Sequence, residues 1–409
     1  MKPSRADSVE QPYGWVVIFV SMILMTVGTG GQYLMSVAMK PITVETGWPR
    51  WIPSLSYLLV MIGMGVGGVY MGRWMDRVGV HSPVLLGAIM VPVGVYLTNL
   101  SQEPIVFLVA HGLFIGLLGN AAMWSPLMAN ATRWFDRRRG MAVAIVASGQ
   151  FMAFIWPPFF RVLIDSVGWR DTYVIFAAIS MIIMVPLTLF LRRDPPEPIG
   201  GEAIAGGEAL DRPLGLSKTT LQSLLGCAGL GCCIAMSIPM VHIVNHVQDL
   251  GFSFARAAEC MSVLFFCGVI SRLVWGWISD RIGGFRTLLS SSMCQIVALS
   301  LLMVVDSLAG LYAASAIFGL AFGGIIPAYS LVLRDLYPAS EAGQRIGNVY
   351  FWTLIGMGTG GFLGGVAFDL TGGYVAAFGL GVTTNAINLS IIIPLMVRRS
   401  RMAPQLAAT

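Results

Sequence analysis

One arginine stands inside an apolar run. Arg272 belongs to the stretch from Ala255 to Ser279 and lies eight residues before Asp280. If that stretch is a helix, a rise of ~1.5 Å per residue puts the guanidinium about 12 Å inside the acidic residue, near the middle of a hydrocarbon layer. A cation held there on a lipid-facing surface costs at least ~3 kcal/mol, so it must meet a wet cavity or a partner. The planar fork of a guanidinium holds a carboxylate by two parallel hydrogen bonds, which makes a small organic anion the ligand this residue suits. The alternative is a strut, with Arg272 paired permanently to a buried acid or to backbone carbonyls. Glu259 is thirteen residues earlier on the same run, which a helix turns into about 20 Å. No other Asp or Glu occupies the central part of an apolar segment, and that scarcity favours the substrate role. A single cation matches one negative charge better than two, so the expected cargo is a monocarboxylate.

Other polar residues fall near the middle of apolar runs. Asn120 and Trp124 are four apart and so share a helix face. Gln150 is central in its run, and Tyr329 lies toward the inner end of its own. Aromatic packing is the competing role for Trp124, Tyr329 and Trp352. His111 is read as a hydrogen-bonded helix residue, with a proton relay as the alternative. The six cysteines, all in the second half, have no spacing suited to zinc, and a disulfide role fails with them. No nucleophile and base pair, metal cluster or cofactor loop is readable, so neither an enzyme nor a cofactor is expected.

A second constellation occurs twice. GRWMDRVG runs from Gly72 to Gly79, with Asp76 and Arg77 inside it, and GWISDRIG runs from Gly276 to Gly283, with Asp280 and Arg281. The two aspartates are 204 residues apart. Pro126 and Pro327 are separated by 201 residues, and Asp165 and Asp369 again by 204. Three matches at nearly one offset indicate a duplicated chain. The central stretch 192–218, rich in Pro, Gly and Glu, reads as a linker between halves at 1–191 and 219–409.

The elements that carry these residues are apolar helices. Of 409 residues, 56% are hydrophobic and 11% charged, a balance that places most of the chain in lipid. Twelve stretches suffice to cross a bilayer, near 14–39, 52–75, 82–100, 104–132, 140–164, 171–191, 219–247, 255–279, 286–305, 309–333, 346–368 and 374–397. Backbone groups in lipid must pair within their own segment, and nothing alternates like a barrel strand, so the fold expected is all-α with two six-helix bundles. The net charge of +5 reflects topology rather than nucleic-acid binding. With both termini in the cytoplasm, only Lys40, Arg50, Arg161, Arg170 and Arg256 fall on the outer side, Arg272 on neither, and every other Lys and Arg inside. The first apolar segment is too long, and lacks a cleavage site, for a signal peptide that is removed. Glycine clusters such as 63–68 and 356–365 read as close helix contacts.

Twelve spans in similar halves, a central linker and the GxxxDRxG hairpin together resemble the major facilitator superfamily. GWR at 168–170, RWFDRRRG at 133–140, YGW at 13–15 and SRLVWGWISDRIG at 271–283 look like its monocarboxylate and oxalate/formate branch. The resemblance implies alternating access by rocking of two bundles with the substrate site between them, and an arginine of the eighth helix that binds carboxylate. It implies that the first, fourth, seventh and tenth helices line the cavity, which makes Asn120, Trp124 and Tyr329 contacts. It also makes the hairpin residues Gly72, Asp76, Arg77, Gly79, Gly276, Asp280, Arg281 and Gly283 a cytoplasmic latch, in which Asp76 accepts from the exposed amides of a neighbouring helix start. Val80 and His81 replace the usual basic pair after the first hairpin.

Gly268 replaces the aspartate that animal carriers place four residues before the arginine, and the lysines those branches carry in the first or eleventh helix are absent. The function expected is therefore secondary transport of a small organic monocarboxylate such as lactate or pyruvate by a monomer of the cytoplasmic membrane. Anion exchange and proton symport both stay open. A drug or siderophore exporter, or a sensor that no longer moves solute, are the alternatives.

Overall fold

The computed structural model describes residues 10–135, 138–196, 213–337 and 339–406, and every regular element among them is helical. The chain separates into two compact units, Met1–Glu202 and Ala203–Thr409. Residues 197–212 of the expected 192–218 linker lie outside the described residues.

The N-terminal unit holds α1 (Pro12–Thr46), α2 (Trp51–Val78), α3 (His81–Asn99), α4 (Pro104–Trp134), α5 (Arg139–Ser148) and α6 (Trp156–Thr188). Proline opens α1 and α4, where its missing N–H costs no helical bond. Residues Ala110–Asn120 of α4 are wound as a π-helix, a form that recurs at functional sites. The C-terminal unit holds α7 (Lys218–Asp249), α8 (Phe254–Ile282), α9 (Gly284–Val304), α10 (Leu308–Phe322), α11 (Ile325–Leu336), α12 (Ala339–Thr371) and α13 (Val375–Leu406). Serines cap α7, α8 and α10: the Ser217, Ser253 and Ser307 hydroxyls each accept a bond from an amide of the first turn.

The repeated hairpin is repeated in backbone as well as in sequence. Gly79 has φ 83 and ψ 171, and Gly283 has φ 78 and ψ 167, a region essentially closed to side-chain-bearing residues. Each amide bonds back four residues, to Met75 and to Ser279, at 2.9 Å. Gly168 and Gly372, also 204 apart, have φ 82 and φ 73. The second of these ends α12 just before α13, and the first interrupts α6.

Among the described residues, eleven helices are long and apolar enough to cross a membrane, and one of them, Met141–Leu191, is 51 residues long and contains Gly168. Two of the runs expected as single helices are interrupted. The run near 140–164 stops at Ser148 and resumes through a 3-10 turn at Met152–Ile155. There the Gly149 carbonyl accepts a bond from the Thr26 hydroxyl of α1 at 3.0 Å. The run near 309–333 breaks at Gly323 and Gly324. Side chains of α8 and α9 bond its carbonyls there, which is how a broken helix is tolerated away from water.

Candidate functional site

Arg272 sits beside the break between α10 and α11. Its neighbour Ser271 is buried, donates its hydroxyl to the Leu320 carbonyl at 2.6 Å and accepts the Gly323 amide at 3.1 Å. One turn on, Trp275 Nε1 donates to the same Leu320 carbonyl at 2.8 Å. The Ser291 hydroxyl of α9 donates to the Ala321 carbonyl. These donors take the carbonyls that the missing turn leaves open, so the interruption is a built feature. A side chain at Gly323 would meet Ser271 Oγ and the Arg272 amide. The helix can therefore approach Arg272 this closely only because glycine is there.

Tyr350 of α12 is within electrostatic reach of Arg272. The Tyr350 phenol and the Ser330 hydroxyl of α11 are 2.7 Å apart. Arg272, Ser330 and Tyr350 are all half-buried, so each keeps some accessible surface. Tyr329, expected from the sequence as a contact, turns the other way. It has no exposed surface, and its hydroxyl donates to Asn388 of α13 at 3.0 Å, next to the bonds that Asn388 makes to Ser292 and Asn385. The polar tip of Tyr329 thus serves the packing of α11 on α13. Ser330 and Tyr350 are not singled out by the sequence, and only the packing of α11 on α12 brings their hydroxyls together.

In the N-terminal unit, Asn120 and Trp124 line one small cavity with Met25, Thr29, Met64 and Met123. Asn120 is 4% exposed, and its amide nitrogen has no hydrogen-bond partner among the described residues. A buried donor in that condition calls for an explanation, and a ligand is one. Asn120 closes the π-helical stretch of α4 and faces Gly28 of α1, where an added side chain would touch its carbonyl oxygen. Gln150 lies in the interruption after α5, where it interacts with the Tyr33 hydroxyl of α1.

The first GxxxDRxG hairpin makes an ion pair, with a partner other than the helix amides expected. Asp76 Oδ1 accepts a bond from Arg133 Nη2 at 2.7 Å, joining the C-terminal ends of α2 and α4. A guanidinium at the end of α4 offers a full charge and a directed donor, which outcompetes the weaker field of a helix start. Arg77 is exposed, as is Arg281, which stacks over Trp277 at 3.7 Å. The Asp280 side chain lies outside the described residues.

His111 Nδ1 donates to the Phe107 carbonyl at 2.9 Å, the hydrogen-bonded helix role expected for it. Glu259 accepts from Arg256 Nη1 at 2.9 Å and from the Tyr312 hydroxyl.

The family model described as Major Facilitator Superfamily matches residues 15–308 and 224–408. The chain belongs to the Major Facilitator Superfamily. Among curated relatives of this superfamily member, the MFS-type transporter pynF of Aspergillus niger is 27% identical over 77% of the chain and 71% of its own length. Monocarboxylate transporter 13 of Bos taurus is 26% identical over 91% of the chain and 87% of its own length. The second relative agrees with the monocarboxylate branch read from the GWR and SRLVWGWISDRIG stretches. Of solved structures, a bacterial homologue of the human lysosomal transporter Spinster, inward-facing and unoccupied, superposes with a TM-score of 0.66. It covers 95% of this chain and 96% of that one at 16% identity, which speaks for the fold. The superfamily member is accordingly an all-helical, multi-pass membrane transporter.

Proposed function

We propose that this chain carries a small organic monocarboxylate across the membrane by alternating access, and that Arg272 binds the carboxylate. The observation that carries the reading is the placement of Arg272. It lies inside an apolar span, half-buried as a residue with its Nε enclosed, and the Tyr350 phenol is within electrostatic reach. The relative named a monocarboxylate transporter supports the same cargo. Asn120, with its enclosed and unmatched amide nitrogen, and beside it Trp124, are the proposed contacts from the N-terminal unit, and Gln150 a further one.

The count of crossings proposed is twelve. The 51-residue stretch Met141–Leu191 is more than twice the roughly 20 residues one crossing needs. Gly168 divides it as Gly372 divides α12 from α13 in the other unit. The bias of Lys and Arg supports cytoplasmic termini in a cell inner membrane, with 192–218 as a cytoplasmic linker. The glycine-ended hairpins act as the latch, with Asp76 bonded to Arg133 in the state described here.

A thermal-shift screen of organic acids on the purified full chain, repeated with Arg272→Ala, tests the reading. Acids should stabilise the native protein and not the variant. Equal stabilisation of both, or stabilisation by cations and sugars alone, would end it. Uptake into vesicles with and without a pH gradient, and with and without internal anion, then separates proton symport from exchange. Proton-driven uptake into empty vesicles equal to counter-transport would exclude obligatory exchange.

A further inference from the structure

Gln32 stands in the middle part of α1 with 2% of its surface exposed, and neither its amide nitrogen nor its amide oxygen has a hydrogen-bond partner among the described residues. It is the only carboxamide among them with both atoms enclosed and unmatched. Other polar residues of this part of α1 are provided for. The Thr26 and Thr29 hydroxyls donate to the Met22 and Met25 carbonyls of their own helix at 2.9 Å, and Tyr33 interacts with Gln150. A short hydroxyl reaches the carbonyl four residues back, whereas the longer stem of glutamine carries its amide away from that backbone.

The helix register gives the direction in which this amide lies, because residues three and four apart share a helix face. Four before Gln32 is Gly28, where an added side chain would meet the Met123 side chain and come within 3.1 Å of Asn120 Oδ1 on α4. Three before it is Thr29, which lines the small cavity together with Asn120, Met64 and Met123. Long side chains on a helix lean toward its N-terminus, so Gln32 leans toward the face that α1 turns to Asn120. Asn120 brings an enclosed amide nitrogen of its own that also lacks a partner. Two helices of one unit thus carry unmatched amides on facing sides. Enclosed polar groups without partners are costly, and a ligand that supplies the partners removes the cost.

The type of ligand group follows from the amide itself. A carboxamide sets one acceptor beside two N–H donors. A carboxylate only accepts, so it would match the nitrogen and press a negative oxygen against the amide oxygen. A hydroxyl or a second carboxamide both donates and accepts, which matches both halves of Gln32 and leaves a lone pair for the Asn120 nitrogen. The group that suits Gln32 is therefore uncharged and belongs to a part of the cargo other than its carboxylate.

We propose that Gln32, with Asn120 beside it, is a substrate-reading group of the N-terminal unit, and that it selects acids bearing a hydroxyl or a carboxamide on the part of the molecule away from the carboxylate. The inference rests on the reading of the cargo as an organic acid whose carboxylate goes to Arg272.

The test compares butanoate, 4-hydroxybutanoate and 4-amino-4-oxobutanoate, which share one chain length, by thermal-shift titration of the purified full chain and of Gln32→Met. Methionine keeps the unbranched stem of glutamine without its hydrogen bonds. The native protein should bind the two substituted acids roughly three- to tenfold more tightly than butanoate, the worth of one neutral hydrogen bond, and Gln32→Met should bring that ratio to about one. The unfolding temperature without ligand gives a second readout, with a sign that a structural role would reverse. An amide unmatched in the ligand-free protein gives way to an apolar side chain at no loss, so Gln32→Met should unfold at or above the native temperature. A clearly lower temperature, or a variant that does not fold, would mean that the protein itself holds the amide and would overturn the proposal. So would a native ratio near one, or a ratio that Gln32→Met leaves as it was. If Arg272→Ala abolishes binding of all three acids while the native protein treats them alike, only the present inference falls. If no organic acid stabilises the native protein, both readings fall.

Discussion

The two units build the same helix contact with different shares of glycine. In the N-terminal unit both helices supply it: a side chain at Gly63 of α2 would come within 2.7 Å of the Leu117 amide of α4, one at Gly67 within 2.6 Å of the Leu117 carbonyl, and one at Gly116 of α4 within 2.8 Å of the Val60 backbone of α2. In the C-terminal unit the glycines are on α10 and after it. A side chain at Gly319 would run into the Leu264 carbonyl of α8, and one at Gly323 would come within 2.5 Å of Ser271 Oγ. At the 204-residue offset, Gly67, Gly68 and Met71 correspond to Ser271, Arg272 and Trp275. Two backbones can approach this closely if either one supplies glycine. With the glycines supplied by the α10 side alone, α8 is free to carry a cation, a hydroxyl and an indole. The same arrangement places paired glycines at 323 and 324, where the helix breaks. At the 201-residue offset that relates Pro126 to Pro327, the N-terminal counterpart α4 has Ala122 and Met123 at the matching places and stays continuous, with a π-helical stretch just before them.

The largest expected effect comes from erasing the difference at its centre. Arg272→Ala should weaken binding of a carboxylate by roughly 30-fold or more, the cost of removing one partner of a buried charge pair. Thermal-shift titration with organic acids reads this directly. Preserved affinity would leave the contrast between α2 and α8 without functional meaning.

Next in size is the test of the glycine packing. Gly319→Val in the C-terminal unit and Gly67→Val in the N-terminal unit should each destabilise by about 1–3 kcal/mol or more, because the added atoms meet backbone, which cannot rotate away. Thermal unfolding in detergent would check both. A tolerant Gly319→Val would mean that the spacing of α8 and α10 is set by something other than glycine.

Ser271→Ala sharpens the comparison further, since it removes the hydroxyl that bonds Leu320 and Gly323 across the break and that Gly67 lacks. A loss of about 1–3 kcal/mol of stability is expected from the buried carbonyl and amide left behind. Acid binding should persist and the exchange rate in vesicles should fall. Equal rates would separate the helix break from turnover.

The smallest effect is expected at the hairpin. Asp76 and Arg133 are 62% and 41% exposed, and exposed pairs contribute about 0–1 kcal/mol. Asp76→Asn should therefore leave the unfolding temperature nearly unchanged. A large loss in that measurement would make the pair a structural bridge rather than a breakable latch.

Much of this was readable before any coordinates. Apolar runs of the right length announced the helices, and the matched GxxxDRxG hairpins announced the duplication, because length and turn chemistry are local properties. Arg272 could be singled out for the same reason, since a charge inside an apolar run needs no knowledge of its neighbours to be noticed. The interruptions at Ser148 and at Gly323 were not legible. Glycine within an apolar run usually marks close packing, and whether the chain bends there depends on donors such as Ser271, Ser291 and Thr26 arriving from other helices. Tyr329 and Ser330 show the limit most clearly. Both are polar neighbours on one span, and which of them bonds to α13 and which to α12 depends on Asn388 and Tyr350, which are 59 and 20 residues away in the chain.

Sequence alone determined that the chain is a duplicated set of apolar helices with one cation deep in the second half, because hydrophobic length, repeat spacing and misplaced charge are written in order along the chain. Only the tertiary structure decided which helix would break, which tyrosine would be sealed, and which hydroxyls would pair across helices. Those outcomes rest on side chains from separate helices competing for the same carbonyls and the same space, and that competition exists only once the helices are packed.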